Sequence, residues 1–285
     1  MSTIAIITDT DSSLPIELAR AHNITQVPII IQLGDRSCQD VFEADNPLVF
    51  GWIDKEGKIP TTAAPSPGQF SEAYKKAFEA GAKTVLCFCV SSEVSATYAA
   101  ARSGAEMMAD RDIRVMDTRN LSMAQGYMAL AAAEAVEAGA SEEEAWAVAE
   151  SVGKRVHLFA SLATLKYLAM SGRVGHLAAG LAGMLNVKPI LTVMDGKLQM
   201  LEKVRTQSKS WARTIEVTAE AAKGCGIERI TILHVKAPEK ALEFEALVRA
   251  ALPCPTEIVH TEMTPGLSIH SGPGLVGVVF VTNDR

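Results

Sequence analysis

The reading of the fold turns on Thr84-Val85-Leu86-Cys87-Phe88-Cys89-Val90, which leads directly into Ser91-Ser92-Glu93-Val94-Ser95-Ala96-Thr97-Tyr98. A continuous apolar run of this length has no polar face, so it reads as a strand buried on both sides. The hydroxyl-rich turn after it opens a helical segment, Ser95–Ala109. Working outward, Ile4–Thr8, Gln26–Leu33 and Ile113–Asp117 are further strand candidates, with helical segments at Gln69–Ala80 and Met123–Ala138. A short helix with Pro15 in its first turn is expected after the polar run Asp9-Thr10-Asp11-Ser12-Ser13. Strands that alternate with helices imply a parallel sheet covered on both faces.

Ser141-Glu142-Glu143-Glu144 starts an alanine-rich helix that runs to Lys154, because acidic residues favour a helix N-terminus. The domain boundary is placed just beyond it, giving an N-terminal domain over 1–157 and a C-terminal domain over 158–285. In the second half, Asp195-Gly196 between Pro189–Val193 and Lys197–Glu202 is a hairpin signal. Lys209–Ala222 and Glu239–Leu252 read as helices, and Ile230–Val235, Thr256–His260 and Val276–Thr282 as strands. The fold class is therefore α/β: two α/β domains, the first with a mainly parallel sheet and the second with a mixed one.

Composition narrows the function. The 285 residues are 48% hydrophobic, enough for a sizeable core, and only 5% aromatic, which leaves few stacking platforms for single-stranded nucleic acid. Net charge is −6 with no basic run, so a duplex-binding groove is not expected. No stretch of apolar residues is long enough to span a bilayer. The N-terminus lacks a basic leader and reads as a first strand. Five scattered cysteines suit reduced thiols of the cytoplasm better than a disulfide framework.

Familiar catalytic signatures are missing. Asp9-x-Asp11 after the first strand has the form of a metal-dependent phosphatase motif, but the later basic residue and acidic pair such chemistry needs do not appear. The alternative for the pair is a polar loop that accepts backbone N–H bonds. Cys87 and Cys89 share one strand face without further ligands at zinc spacing, so they read as buried, inert thiols. Gly272-Pro273-Gly274-Leu275-Val276-Gly277 matches a dinucleotide fingerprint in letters only, since eight residues remain where a βαβ unit is required. No catalytic residue, metal site or cofactor is expected.

Two hydroxyl-rich turns remain. Ser66, Pro67 and Gln69 form a capping box in Pro60-Thr61-Thr62-Ala63-Ala64-Pro65-Ser66-Pro67-Gly68-Gln69. The other is the Ser91–Tyr98 turn. Ligands of open parallel sheets collect beyond the carboxyl ends of strands, and helix-start N–H groups beside hydroxyls favour an anion. Anion binding and plain helix capping are both open on this ground alone.

Seven segments, in order and with compatible spacing over 8–280, resemble the DegV family of bacterial fatty-acid-binding proteins. They are Thr8-Asp9-Thr10-Asp11-Ser12-Ser13-Leu14-Pro15, Pro60-Thr61-Thr62 with Pro65-Ser66-Pro67-Gly68, and Ser91-Ser92-x-x-Ser95-x-Thr97-Tyr98. Then come Asp117-Thr118-Arg119 with Ser122-Met123-x-x-Gly126, Leu165-Lys166-Tyr167-Leu168 with Ser171-Gly172-Arg173-Val174, Lys188-Pro189-Ile190-Leu191, and Ile269-His270-Ser271-Gly272-Pro273-Gly274.

The resemblance implies two α/β domains that clamp one long-chain fatty acid, such as hexadecanoate, in an apolar tunnel with its carboxylate at their junction. By the family pattern Thr62 and Ser95 hydrogen-bond the carboxylate, and Ser92, His270 and Arg205 are further candidates. Some members present the acid to a separate ATP-dependent fatty acid kinase, for acyl-phosphate and phospholipid synthesis. Arg173 resembles their partner-facing residue. The implied role is a cytoplasmic lipid-binding carrier, not an enzyme; a lipid-responsive regulatory module is the other non-enzymatic reading. Ala96 stands where the family usually has glycine, and Ser171 where it has the first glycine of Gly-Gly-Arg.

Overall fold

The structure, a computed structural model, describes residues 3–172 and 187–284. The chain forms two compact units, Met1–Glu43 with Thr62–Lys154, and Ala44–Thr61 with Arg155–Arg285. In the first, β1 (Ile4–Asp9) runs into a single 3-10 turn (Thr10–Ser12) and α1 (Ile16–Ala21). The expected Gln26–Leu33 strand is two, β2 (Ile24–Val27) and β3 (Ile30–Leu33), because Pro28 has no N–H to continue a ladder. β4 (Arg36–Gln39) follows; α2 (Asn46–Glu56) belongs to the second unit, and β5 (Thr61–Ala63) returns the chain to the first. Next come α3 (Pro67–Glu79), β6 (Thr84–Cys89), α4 (Thr97–Glu106), β7 (Asp112–Asp117), α5 (Met123–Glu137) and α6 (Glu142–Arg155).

The main sheet of this unit has the order β2-β1-β6-β7, and every pairing is parallel. All six residues of β6 are buried, as a strand between two neighbours and two helical layers requires. Ile7, Val85, Cys87 and Cys89 pack there against Phe70 and Tyr74 of α3. A separate small sheet has the order β4-β3-β5.

In the second unit the elements are β8 (Val156–Ser161), α7 (Lys166–Ser171), β9 (Lys188–Met194), β10 (Lys197–Val204), α8 (Gln207–Ala222) and β11 (Ile227–His234). They continue with α9 (Pro238–Ala251), β12 (Val259–Glu262), α10 (Pro265–Ser271) and β13 (Val276–Thr282). The sheet order is β10-β9-β8-β13-β11-β12, mixed, with β11–β12 its parallel pair. The hairpin joining β9 to β10 turns at Asp195 and Gly196, both at positive φ (51° and 78°), the conformation that matches strand twist. Trp211 and Phe244, from α8 and α9, pack against Val276, Val278 and Phe280 of β13.

Candidate functional site

β6 ends beside β1, and the loop that leaves it carries most of the hydroxyls singled out above. Ser91 is fully buried. Its carbonyl accepts the N–H groups of Val94 (3.1 Å) and Ser95 (3.2 Å), folding the loop into a tight turn. Ser95 Oγ accepts the Thr97 N–H at 3.3 Å and lies 2.8 Å from Thr97 Oγ1. Thr97 is buried and Ser95 half-buried. Either hydroxyl can be the donor, so one of the two hydrogens is left over from the pair. The N-cap of α4 is Ala96, whose methyl side chain closes off none of the first-turn N–H groups. Its φ of −78° suits any L-residue, so the methyl in place of the family glycine introduces no backbone strain.

Ser92 is engaged elsewhere. Its hydroxyl donates to Asp117 Oδ2 at 2.5 Å and its N–H to Oδ1 at 3.2 Å, stapling the loop to the end of β7. Thr62 lies inside β5, in the small sheet, and is half-buried; it does not sit in the first turn of a helix. The hydroxyl that caps α3 is that of Ser66. Its Oγ accepts the Gln69 N–H (3.2 Å) while Gln69 Oε1 accepts the Ser66 N–H (2.9 Å), the expected capping box. Thr62 and Ser95 thus belong to the same unit, on different sheets of it. Arg205 is exposed between β10 and α8, and His270 is half-buried in the last turn of α10. Both lie in the second unit. Arg173 lies outside the described residues; Gly172 before it ends α7 at φ 69°, a left-handed cap that glycine adopts freely.

Asp9 is committed to the backbone. Asp9 is fully buried; one oxygen accepts the Asp11 N–H at 3.0 Å and the other the Val90 N–H at 2.8 Å. Burial pushes its pKa up to about 6, against the pull of those hydrogen bonds. Thr10 Oγ1 donates to Asp40 Oδ2 (2.6 Å) and accepts the Ile29 N–H (3.0 Å). Among the described residues no three His, Cys, Asp or Glu side chains gather as metal ligands. Cys87 and Cys89, with sulfurs 3.7 Å apart, are fully buried, and burial pushes the Cys89 thiol well above its ordinary value.

Sequence reasoning passed over Gln125. It is fully buried in α5, donates from Nε2 to Thr8 Oγ1 (3.0 Å) and Phe88 O (3.3 Å), and ties α5 to both central strands. The signal was available, since an amide inside an otherwise apolar, alanine-rich helix must find buried partners.

The four-stranded parallel sheet, the six-stranded mixed sheet and the turn beyond β6 define a two-unit α/β protein with a hydroxyl-rich loop at a strand end. Residues 3–283 match the family described as an uncharacterised protein of the DegV family. A DegV domain-containing protein of Streptomyces coelicolor is 36% identical over 276 residues, 97% of each chain. A solved DegV-family protein of Thermus thermophilus, described for its fatty acid binding, is similar with a TM-score of 0.91 and 29% identity, covering 99% of this chain and 100% of that one. DegV of Bacillus subtilis, described as a fatty acid binding protein, is similar with a TM-score of 0.89 and 26% identity over 99% and 100% of the two chains. The chain belongs to the DegV family.

Proposed function

We propose that this protein binds a long-chain fatty acid in an apolar tunnel and presents the carboxylate to a separate fatty acid kinase. Thr62 and Ser95 are the proposed carboxylate ligands, with Ser92, His270 and Arg205 contributing to the polar surroundings. The observation that carries the reading is the Ser95–Thr97 hydroxyl pair at the start of α4, which leaves a proton and helix-start N–H groups for an anion. The fatty acid binding described for the Thermus thermophilus and Bacillus subtilis relatives supports the same ligand class. Burying about 14 methylenes at ~0.8 kcal/mol each is worth roughly 11 kcal/mol before the costs of association. A carboxylate drawn along with such a chain must be hydrogen-bonded, because an unpaired buried charge is prohibitive.

Solvent extraction of the purified protein, with mass spectrometry of what is released, is expected to yield a long-chain acid. Direct titration is expected to show palmitate affinity. The absence of both an extracted acid and measurable affinity would defeat the reading. For the kinase step, Arg173→Ala is expected to keep palmitate affinity while slowing acyl-phosphate formation by a cognate kinase; unchanged turnover removes Arg173 from that role.

A further inference from the structure

We propose that Asp9 is a positioning residue for the Ser91–Thr97 loop: its ionised carboxylate holds the loop in its ligand-binding shape, and protonation weakens ligand binding. The inference rests on the fatty acid reading above and adds its control by protons.

Asp9 ends β1, and its two oxygens serve two different chain segments, the Asp11 N–H on one side and the Val90 N–H on the other. Val90 is the last residue before Ser91, whose carbonyl fixes Val94 and Ser95. The Asp11 carbonyl in turn accepts the Ser122 N–H at 2.7 Å, at the start of α5. One carboxylate thereby sets the height of the loop against two neighbouring elements. An ionised carboxylate accepts at both oxygens, whereas a protonated one turns one oxygen into a donor. The Gln125 side chain, fully buried in α5, hydrogen-bonds the ionised carboxylate and pulls its pKa down, so protonation gives up that bond as well. Protonation therefore removes full acceptance from one of the two backbone N–H groups.

The titratable groups facing Asp9 are Cys89 at the end of β6, on which its charge acts, and Asp11 in the adjoining turn. Asp117, at the end of β7, acts on the same Cys89 thiol. Asp40 is engaged with Thr10 next to Asp9. Burial is what favours the proton on Asp9, against the pull of its hydrogen bonds. With a pKa of about 6, the exchange falls in a range where the fold can be studied on both sides.

The test follows the Val90 amide by 15N NMR without ligand, and palmitate affinity, both from pH 5 to 8, in the wild type, Asp9→Asn and Gln125→Met. One pH unit below the midpoint only about a tenth of Asp9 is ionised, so wild-type affinity is expected to fall about tenfold more than that of Asp9→Asn. The palmitate carboxyl titrates in both, so its own effect cancels in this difference. The Val90 resonance is expected to titrate with the same midpoint, to be silent in Asp9→Asn, and to move its midpoint in Gln125→Met. Should Asp9→Asn not fold, the Gln125→Met midpoint carries the test. Equal pH profiles in wild type and Asp9→Asn, or an unmoved midpoint in Gln125→Met, would overturn the inference. A titrating Val90 amide in a protein that binds no palmitate would instead overturn the fatty acid reading and leave Asp9 as the support of the loop.

Discussion

Ser66 and Ser95 are both serines at the start of a helix, yet their surroundings assign them different work. Ser66 is consumed by its capping box, so Ser66→Ala is expected to lower stability by ~1 kcal/mol and leave palmitate affinity unchanged. Ser95→Ala combined with Thr62→Val should do the reverse. A hydrogen bond to a charged group is worth roughly 1.5–3 kcal/mol, so losing both weakens affinity by about two to four powers of ten, less where the two are coupled. Calorimetric titration alongside thermal melts separates the cases; undiminished affinity in the double variant would remove the clamp. Asp9 adds a pH signature of folding. Its folded pKa, about 6, exceeds the ordinary value of 3.8, so the folded state binds the proton more tightly. The stabilisation is complete below the lower value and is lost as pH rises through about 6, a change of about 3 kcal/mol. The stability advantage of wild type over Asp9→Asn should therefore shrink between pH 4 and 7, and a constant difference in denaturant midpoints would contradict it. The ionised form that holds the loop is thus the less stable form of the fold.

Elements whose sequence signal is continuous and flanked by turn residues were legible: β6, β13 and the β9–β10 hairpin lie where the apolar runs and Asp195-Gly196 put them. β8 was hidden because it follows α6 with no intervening turn, so the helical period passes directly into a strand. α2 carried a readable start, Asp45 capping Leu48 N–H at 2.8 Å with Pro47 in the first turn, but its buried stripe of Val49, Phe50 and Ile53 is short. Of the site, the Ser91–Tyr98 turn was legible from hydroxyl density after a buried strand. The Asp117 staple on Ser92 was not, because it joins strand ends 25 residues apart. The spacing of α3 and α4 depends on a missing side chain. A Cβ on Gly104 would stand 2.7 Å from Pro67 O and 2.9 Å from Phe70 Cβ. Gly104→Ala is expected to destabilise by about 1–3 kcal/mol through overpacking, despite alanine's better helix propensity. A melt at or above wild type would show that α3 yields without strain.

At the scale of the molecule, the two units are not two consecutive halves of the chain. Residues Ala44–Thr61 leave the first unit and complete the second, where Phe50 meets Tyr167 edge-on at 5.9 Å and Asn46 donates to Met263 O at 2.8 Å. A fragment of residues 155–285 therefore lacks part of its own core. Removing Phe50 alone is comparable to a Phe→Ala change, about 3–5 kcal/mol, before Val49 and Ile53 are counted. The fragment is expected to melt broadly or remain unfolded by circular dichroism, and to be digested rapidly by protease. A sharp melt near that of the whole protein would show that the excursion is dispensable.

That excursion also fixes an order of events during synthesis. Phe50 emerges from the ribosome 117 residues before Tyr167, and chain growth at about 5–20 residues per second leaves roughly 6–23 s between them. Through that interval Val49, Phe50 and Ile53 have no finished surface of their own unit to rest on, while most of the first unit's chain has already been made. The nascent chain thus keeps this apolar stretch waiting until the later half of the message has been translated.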